Sequence, residues 1–257
     1  MLRDFLRHLY LAVTEFEFYS RVFQQPVQRT LLFLLFVAAG VAVVQTLLYA
    51  WVLFPEMDHF VDWGSKALPP FSVARGKLSV DADQPLVAQF DSKGKYELTF
   101  VFDTTGAYND PYGLEEPAFV FNARELSVQM EGQSQAYPWK DFGDFSFTPD
   151  HLGAYATLLK WGYFPTAYSL LLLWNLFAKA LTAAFLGPVA YSIGLSYGVR
   201  LPYAHCFTIT SYSLVPAICI DLAVRMTGVE ISYFSLIYLG VVALYTFFAT
   251  QRCVVAH

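Results

Sequence analysis

Charged side chains are scarce. Only 14% of the 257 residues are Asp, Glu, Lys or Arg, against roughly 25% in soluble domains, while 56% are hydrophobic. That imbalance excludes a single water-soluble globule. Cysteine is nearly absent: Cys206, Cys219 and Cys253 all lie near the C-terminus without CxxC spacing, which excludes a disulfide framework or a zinc knuckle. Basic residues number 16 against 21 acidic ones, so the chain lacks the basic face that a nucleic acid partner requires. Repeats and coiled-coil periods are also missing, and the apolar excess must therefore sit in a few long blocks.

What charge there is falls unevenly. Residues 1–29 carry four Lys/Arg and three Asp/Glu, residues 55–155 carry seven and sixteen, and residues 156–257 carry five and two. This predicts an acidic polar domain held between membrane segments. The division is a cytoplasmic segment 1–29, a first span 30–54, an extracytoplasmic domain 55–155 and a C-terminal membrane domain 156–257.

Thr30 to Phe54 is 25 residues without a charge, longer than the roughly 20 that cross a hydrocarbon core. Aromatic Tyr49 and Trp51 suit an interfacial belt, and the 29 residues ahead of the segment argue for an uncleaved anchor. Arg21 and Arg29 precede it, whereas Glu56, Asp58 and Asp62 follow it, which orients the N-terminus towards the cytoplasm. Cys206–Val224 and Ile231–Phe248 each predict one span, separated by a turn at Thr227 to Glu230. Gly162 to Leu201 fits one long helix, kinked at Gly187-Pro188, or a tight hairpin; one helix keeps Arg200 and Arg252 inside, and four spans are therefore expected. Upstream, Leu2, Phe5, Leu6, Leu9, Val13 and Phe16 recur at helical spacing, which predicts an amphipathic helix lying on the membrane or packed on the bundle.

Between Pro69 and Lys140 the period changes to two. Tyr96, Leu98, Phe100 and Phe102 alternate with Glu97, Thr99, Val101 and Asp103, and Leu126, Val128 and Met130 alternate with polar residues, as half-buried strands do. Further strands are expected at Phe71–Val80 broken at Gly76, at Leu86–Phe90, at Ala118–Phe121 and at Ala136–Trp139, with turns at Ser92-Lys93-Gly94 and Asn122-Ala123-Arg124. The expected fold is a helical membrane bundle of about four spans with an inserted, mainly antiparallel β domain of five to seven strands, entered at Asp62 and left near His151.

The order of EFYSRVF, one long span, PPFSVARGKLSV with VFDTTG, and then LPYAHCFTITSYSLVP resembles a bacterial membrane family listed as domain of unknown function 1189. The C-terminal part is also similar to the wider Yip family of multi-span proteins. The resemblance implies a plasma-membrane protein without an established activity. Some members bear a maltodextrin-utilisation label.

Neither GxxxxGK[ST] nor GxGxxG occurs, HExxH is absent, and no GxSxG nucleophile elbow is expected, so the chain reads as non-enzymatic and without a cofactor. Asp103-Thr104-Thr105-Gly106 with Asn109-Asp110 is an oxygen-rich loop that could ligate Ca²⁺, yet the same residues are those a β-turn selects. His59 and His151 flank the insert and could meet as a pair. Lys179 and Asp221 are the intramembrane ionisable groups; topology puts Lys179 in the inner half and Asp221 in the outer half, unpaired with each other, and Asp221 instead reaches Arg225 four residues on. Asn175, Thr208, Thr210, Ser211 and Ser213 could add a polar pathway. Gly187, Ala190, Gly194 and Gly198 form a small-residue groove that serves packing within the chain or a homo-oligomer contact. The expected function is binding or scaffolding of another envelope protein by the exposed β domain, in contact with membrane lipid at the inner membrane. A transporter component, for instance for sugar uptake, is the alternative.

Overall fold

The computed structural model describes residues 2–92, 96–108, 117–130, 133–229 and 231–255. Six helices and eight strands run in the order α1 (Leu2–Thr14), α2 (Glu17–Val22), α3 (Val27–Ala67), β1 (Phe71–Ala74), β2 (Lys77–Val80), β3 (Leu86–Asp91), β4 (Glu97–Asp103), β5 (Ala118–Asn122), β6 (Glu125–Met130), β7 (Gln133–Pro138), β8 (Phe145–Phe147), α4 (Leu152–Ser196), α5 (Tyr203–Thr227) and α6 (Phe234–Val255). Among the described residues four helices, α3 to α6, are long and apolar enough to cross a membrane. The chain forms two compact units, residues 1–49 with 164–257 and residues 50–163, and α3 and α4 contribute to both.

At 41 and 45 residues, α3 and α4 are about 61 and 67 Å long, twice a hydrocarbon core. Helix α3 therefore runs past the expected insert entry at Asp62, whereas α4 begins at Leu152, next to the expected exit near His151. The extra turns of α3 carry Phe60, Trp63 and Ala67 on one face, and burying that face on the sheet stabilises helix beyond the apolar run. Residues 162–196 are one helix, not a hairpin.

In the bundle unit α5 is the central helix, buried all round from Thr208 to Ile218. Its hydroxyls turn back on their own backbone: Thr208, Thr210, Ser211 and Ser213 each donate to the carbonyl four residues earlier, at 2.7–3.0 Å. The short helices α1 and α2 pack against the bundle rather than lying free. Phe5, Leu9, Val13 and Phe16 join its core, and the wholly buried Tyr19 donates its hydroxyl to the Ala12 carbonyl at 2.8 Å.

Pro188 lies within α4 and has no N–H, which leaves the Ala184 carbonyl without its helical donor. The Tyr203 hydroxyl fills that place at 2.8 Å. Its ring crosses α4 at Gly187, where a Cβ would come within 3.1 Å of it. α4 then closes with Gly198 at φ +79°, and Val199 N–H reaches back to the Gly194 carbonyl at 3.0 Å.

In the β unit, eight strands among the described residues form two sheets, ordered β2-β1-β8 and β3-β4-β5-β6-β7. That exceeds the expected five to seven because Phe71–Val80 makes two strands and β8, only three residues long, has too little sequence to show a period. The β1–β2 hairpin turns at Arg75-Gly76, both at positive φ, as a two-residue primed turn demands. All pairs are antiparallel except β4 with β5, which is parallel. β4 is consequently not half-buried: its five residues from Thr99 to Asp103 are all buried, unlike an alternating strand. β7 ends at Pro138, and Trp139 opens a 3-10 turn with its indole N–H on the Asn122 carbonyl at 2.8 Å.

The face of β3 to β5 that holds Ala88, Phe90, Phe100 and Phe102 packs on Phe60 and Trp63 of α3. Ring centroids lie 5.2 Å apart for Trp63 and Phe90 and 4.4 Å for Phe102 and Phe121. A core of this aromatic content explains how the unit dispenses with disulfides. Lys93 and Gly94 of one expected turn lie outside the described residues, as does Glu230 of another; the Asn122–Arg124 turn joins β5 to β6.

Candidate functional site

One level of the bundle unit gathers several polar side chains. Asn175 on α4 donates to Gln45 of α3 at 2.8 Å, and both residues are buried. One turn further along α4, Lys179 places its ammonium 4.9 Å from the Tyr238 ring centroid of α6. On α5 both Asp221 oxygens accept from Arg225 Nε at 3.0 Å. Tyr49 lies beside Arg225.

Lys179 is within Coulombic reach of Asp221 and Arg225, which corrects its assignment to the opposite half of the membrane from Asp221. The reason is arithmetic along antiparallel helices. Lys179 stands 17 residues, about 26 Å, before the end of α4, and Asp221 stands 18 residues, about 27 Å, after the start of α5. The two therefore share a depth. Two cations, one carboxylate and two phenols meet there, and the charges are answered within the chain: Asp221 by Arg225, Lys179 by an aromatic face.

The expected polar pathway is not assembled. Asn175 belongs to the Gln45 contact, while the α5 hydroxyls are engaged with their own helix, and Thr208 also meets Thr30, at 3.0 Å. The small-residue groove is filled by the chain itself. Tyr203 occupies Gly187, Leu201 and the Val199 carbonyl occupy Gly194, each 3.1 Å from where a Cβ would stand, and Ala190 is fully buried. Gly198 is not part of the groove, because its positive φ makes it the helix cap.

The pattern GxSxG does occur, at Gly194-Leu195-Ser196-Tyr197-Gly198, which corrects the expectation that it is missing. It lies at the end of a helix instead of on a strand-to-helix turn, and the Ser196 hydroxyl donates to the Ile193 carbonyl at 2.8 Å. The serine is thus a helix-end residue.

In the β unit Asp103 is 2% exposed and works as a turn cap. One carboxylate oxygen accepts from Thr105 N–H at 2.9 Å, Thr105 hydroxyl at 2.6 Å and Gly106 N–H at 3.0 Å, and the other accepts from Tyr108 N–H at 2.7 Å. Burial pushes its pKa up, but these donated bonds outweigh burial and hold it below the ordinary carboxylate value. Asn109 and Asp110 lie outside the described residues, and among the described residues no group of three metal-ligating side chains occurs. His59 packs on Phe90 at 5.1 Å and His151 on Tyr155 at 6.4 Å.

Two further features go beyond the sequence expectations. An apolar hollow of about 310 Å³ lies among Leu53, Met57 and Phe60 of α3, Phe90 and Leu98 of the sheet, and Tyr155 of α4. The strand β7 forms one edge of the five-stranded sheet, and Gln133 to Tyr137 are all exposed. The run QSQAY carries no charge, a signal that the sequence holds but that only the strand order turns into an edge.

No curated protein and no solved structure is significantly similar to the chain. A family model described as protein of unknown function (DUF1189) matches residues 6–250, and the chain belongs to that family.

Proposed function

We propose that this is a non-enzymatic multi-pass protein of the bacterial inner membrane whose β unit stands on the extracytoplasmic side and binds another envelope protein. The basic residues ahead of α3 and the acidic residues after its apolar run support that orientation. One observation carries the binding role: among the described residues no strand pairs with the outer edge of β7, and that edge lacks the charges or internal proline that normally block strand addition. A partner strand laid on β7 would pair with that edge. Photo-crosslinkers at Gln135 and, as control, at Asp144 test this in whole cells. The reading requires one discrete protein adduct from Gln135 that Asp144 does not give; equal or no adducts refute it.

The level of Lys179, Asp221, Arg225 and Tyr238 favours a second reading, a transporter component for a small polar solute such as a sugar. Asp221→Asn and Lys179→Met should then abolish flux in vesicles. The reading is the weaker one, since each charge in that layer has its partner inside the bundle.

A further inference from the structure

A cavity of about 490 Å³ opens in the bundle unit where α1 meets the start of α3 and α5. Its size is that of a small-ligand site. Arg29, His8, Gln25, Asp4 and Tyr212 supply its polar lining, and Phe5, Leu32, Phe33 and Phe36 supply the rest.

The polar groups are set to receive an oxyanion. Gln25 donates its amide to the Tyr212 hydroxyl at 2.7 Å, which leaves the hydroxyl proton to point elsewhere. Among the described residues no carboxylate pairs with Arg29. Burial pushes the His8 imidazole below its ordinary value, so that it is neutral near pH 7. Asp4, which also lines the cavity, repels a bare anion. A head group joined to hydrocarbon gains from the aromatic lining as well.

The apolar lining continues beyond the cavity. At 100° per residue, Arg29, Leu32, Phe36, Val43 and Leu47 fall within an arc of about 60° on α3. The four apolar members are 42%, 37%, 46% and 57% exposed. Leu32 to Val43 rises about 16 Å, close to the hydrocarbon depth of one leaflet. A chain attached at Arg29 would thus find a continuous apolar track of the right length.

We propose that this cavity binds one membrane glycerophospholipid, with Arg29 and the Tyr212 hydroxyl on its phosphate and one acyl chain along Leu32, Phe36 and Val43. The lipid would seal the joint between the N-terminal helices and the bundle. The test is native mass spectrometry of the delipidated full-length protein in detergent, titrated with phosphatidylethanolamine or phosphatidylglycerol. One lipid should bind tighter than all others, and Arg29→Gln should weaken it about tenfold, the loss of one charge-assisted contact. Arg21→Gln, which removes an exposed cation outside the cavity, should leave it unchanged. Equal effects of the two variants overturn the proposal. On the wild-type protein alone, a four-carbon-chain lipid with the same head should compete at least tenfold worse than the long-chain lipid. Displacement by inorganic phosphate alone would instead mark a simple anion site and would equally overturn it.

Discussion

Replacing Asp103 separates a turn cap from a metal ligand. Asp103→Ala removes the acceptor of three backbone N–H groups and one hydroxyl in a residue that is 2% exposed. A charged acceptor with this many donors is worth roughly 1.5–3 kcal/mol per lost bond in a dry site, but Thr105 and Gly106 are exposed and water can replace part of it. We expect a total loss of about 3 kcal/mol, and about half of that for Asp103→Asn, which keeps one acceptor oxygen but presents an amide donor towards an N–H. The pH dependence follows from the direction of the shift. Because the folded pKa lies below the unfolded one, the carboxylate's contribution is fully present above the ordinary carboxylate range and is lost as pH falls through the lower, folded value. The stability gap between wild type and Asp103→Asn should stay constant from about pH 8 to about 5 and close below about 4. Denaturant unfolding of the full chain in detergent, read by tryptophan fluorescence, measures it. A gap that widens on acidification, or a wild-type midpoint that drops with a chelator, would refute the cap.

The link between Pro188 and Tyr203 predicts coupling. Tyr203→Phe should cost about 1 kcal/mol in the wild-type background and close to nothing beside Pro188→Ala, where the helix regains its own donor to Ala184, and a double-mutant cycle in unfolding free energy reads the difference. Gly194→Val should cost more than Gly40→Val, about 2 kcal/mol, because a Cβ at Gly194 meets the Val199 backbone carbonyl at 3.1 Å whereas Gly40 faces open space. Thermal midpoints of the two variants in the same detergent decide it.

Much of the architecture is legible in the sequence. The uncharged run after Thr30, the break at Gly76 and a strand at Leu126–Met130 each carry a local physical signal, and each is found, although burial along that strand does not alternate and Met130 is exposed. Other features depend on pairing that local signals do not encode. The parallel register of β4 with β5 buries Thr99 and Val101, which alternation assigns to the surface. β8 is three residues held by β1. The depth of Lys179 is misread from sequence because hydropathy gives a span's extent but not where a helix this long starts. The Asp103 turn is readable as turn chemistry, whereas the Arg29 cavity arises only once α1 folds back on α3 and α5.

The side of the membrane on which the β unit stands is tested most directly by single cysteines in a background lacking Cys206, Cys219 and Cys253. Ser134→Cys on exposed β7 and Glu15→Cys ahead of α2 would be treated with a membrane-impermeant maleimide on intact spheroplasts and again after lysis. An extracytoplasmic β unit predicts labelling at Ser134 before lysis and at Glu15 only after it. The reverse pattern would contradict the orientation and remove the envelope partner with it.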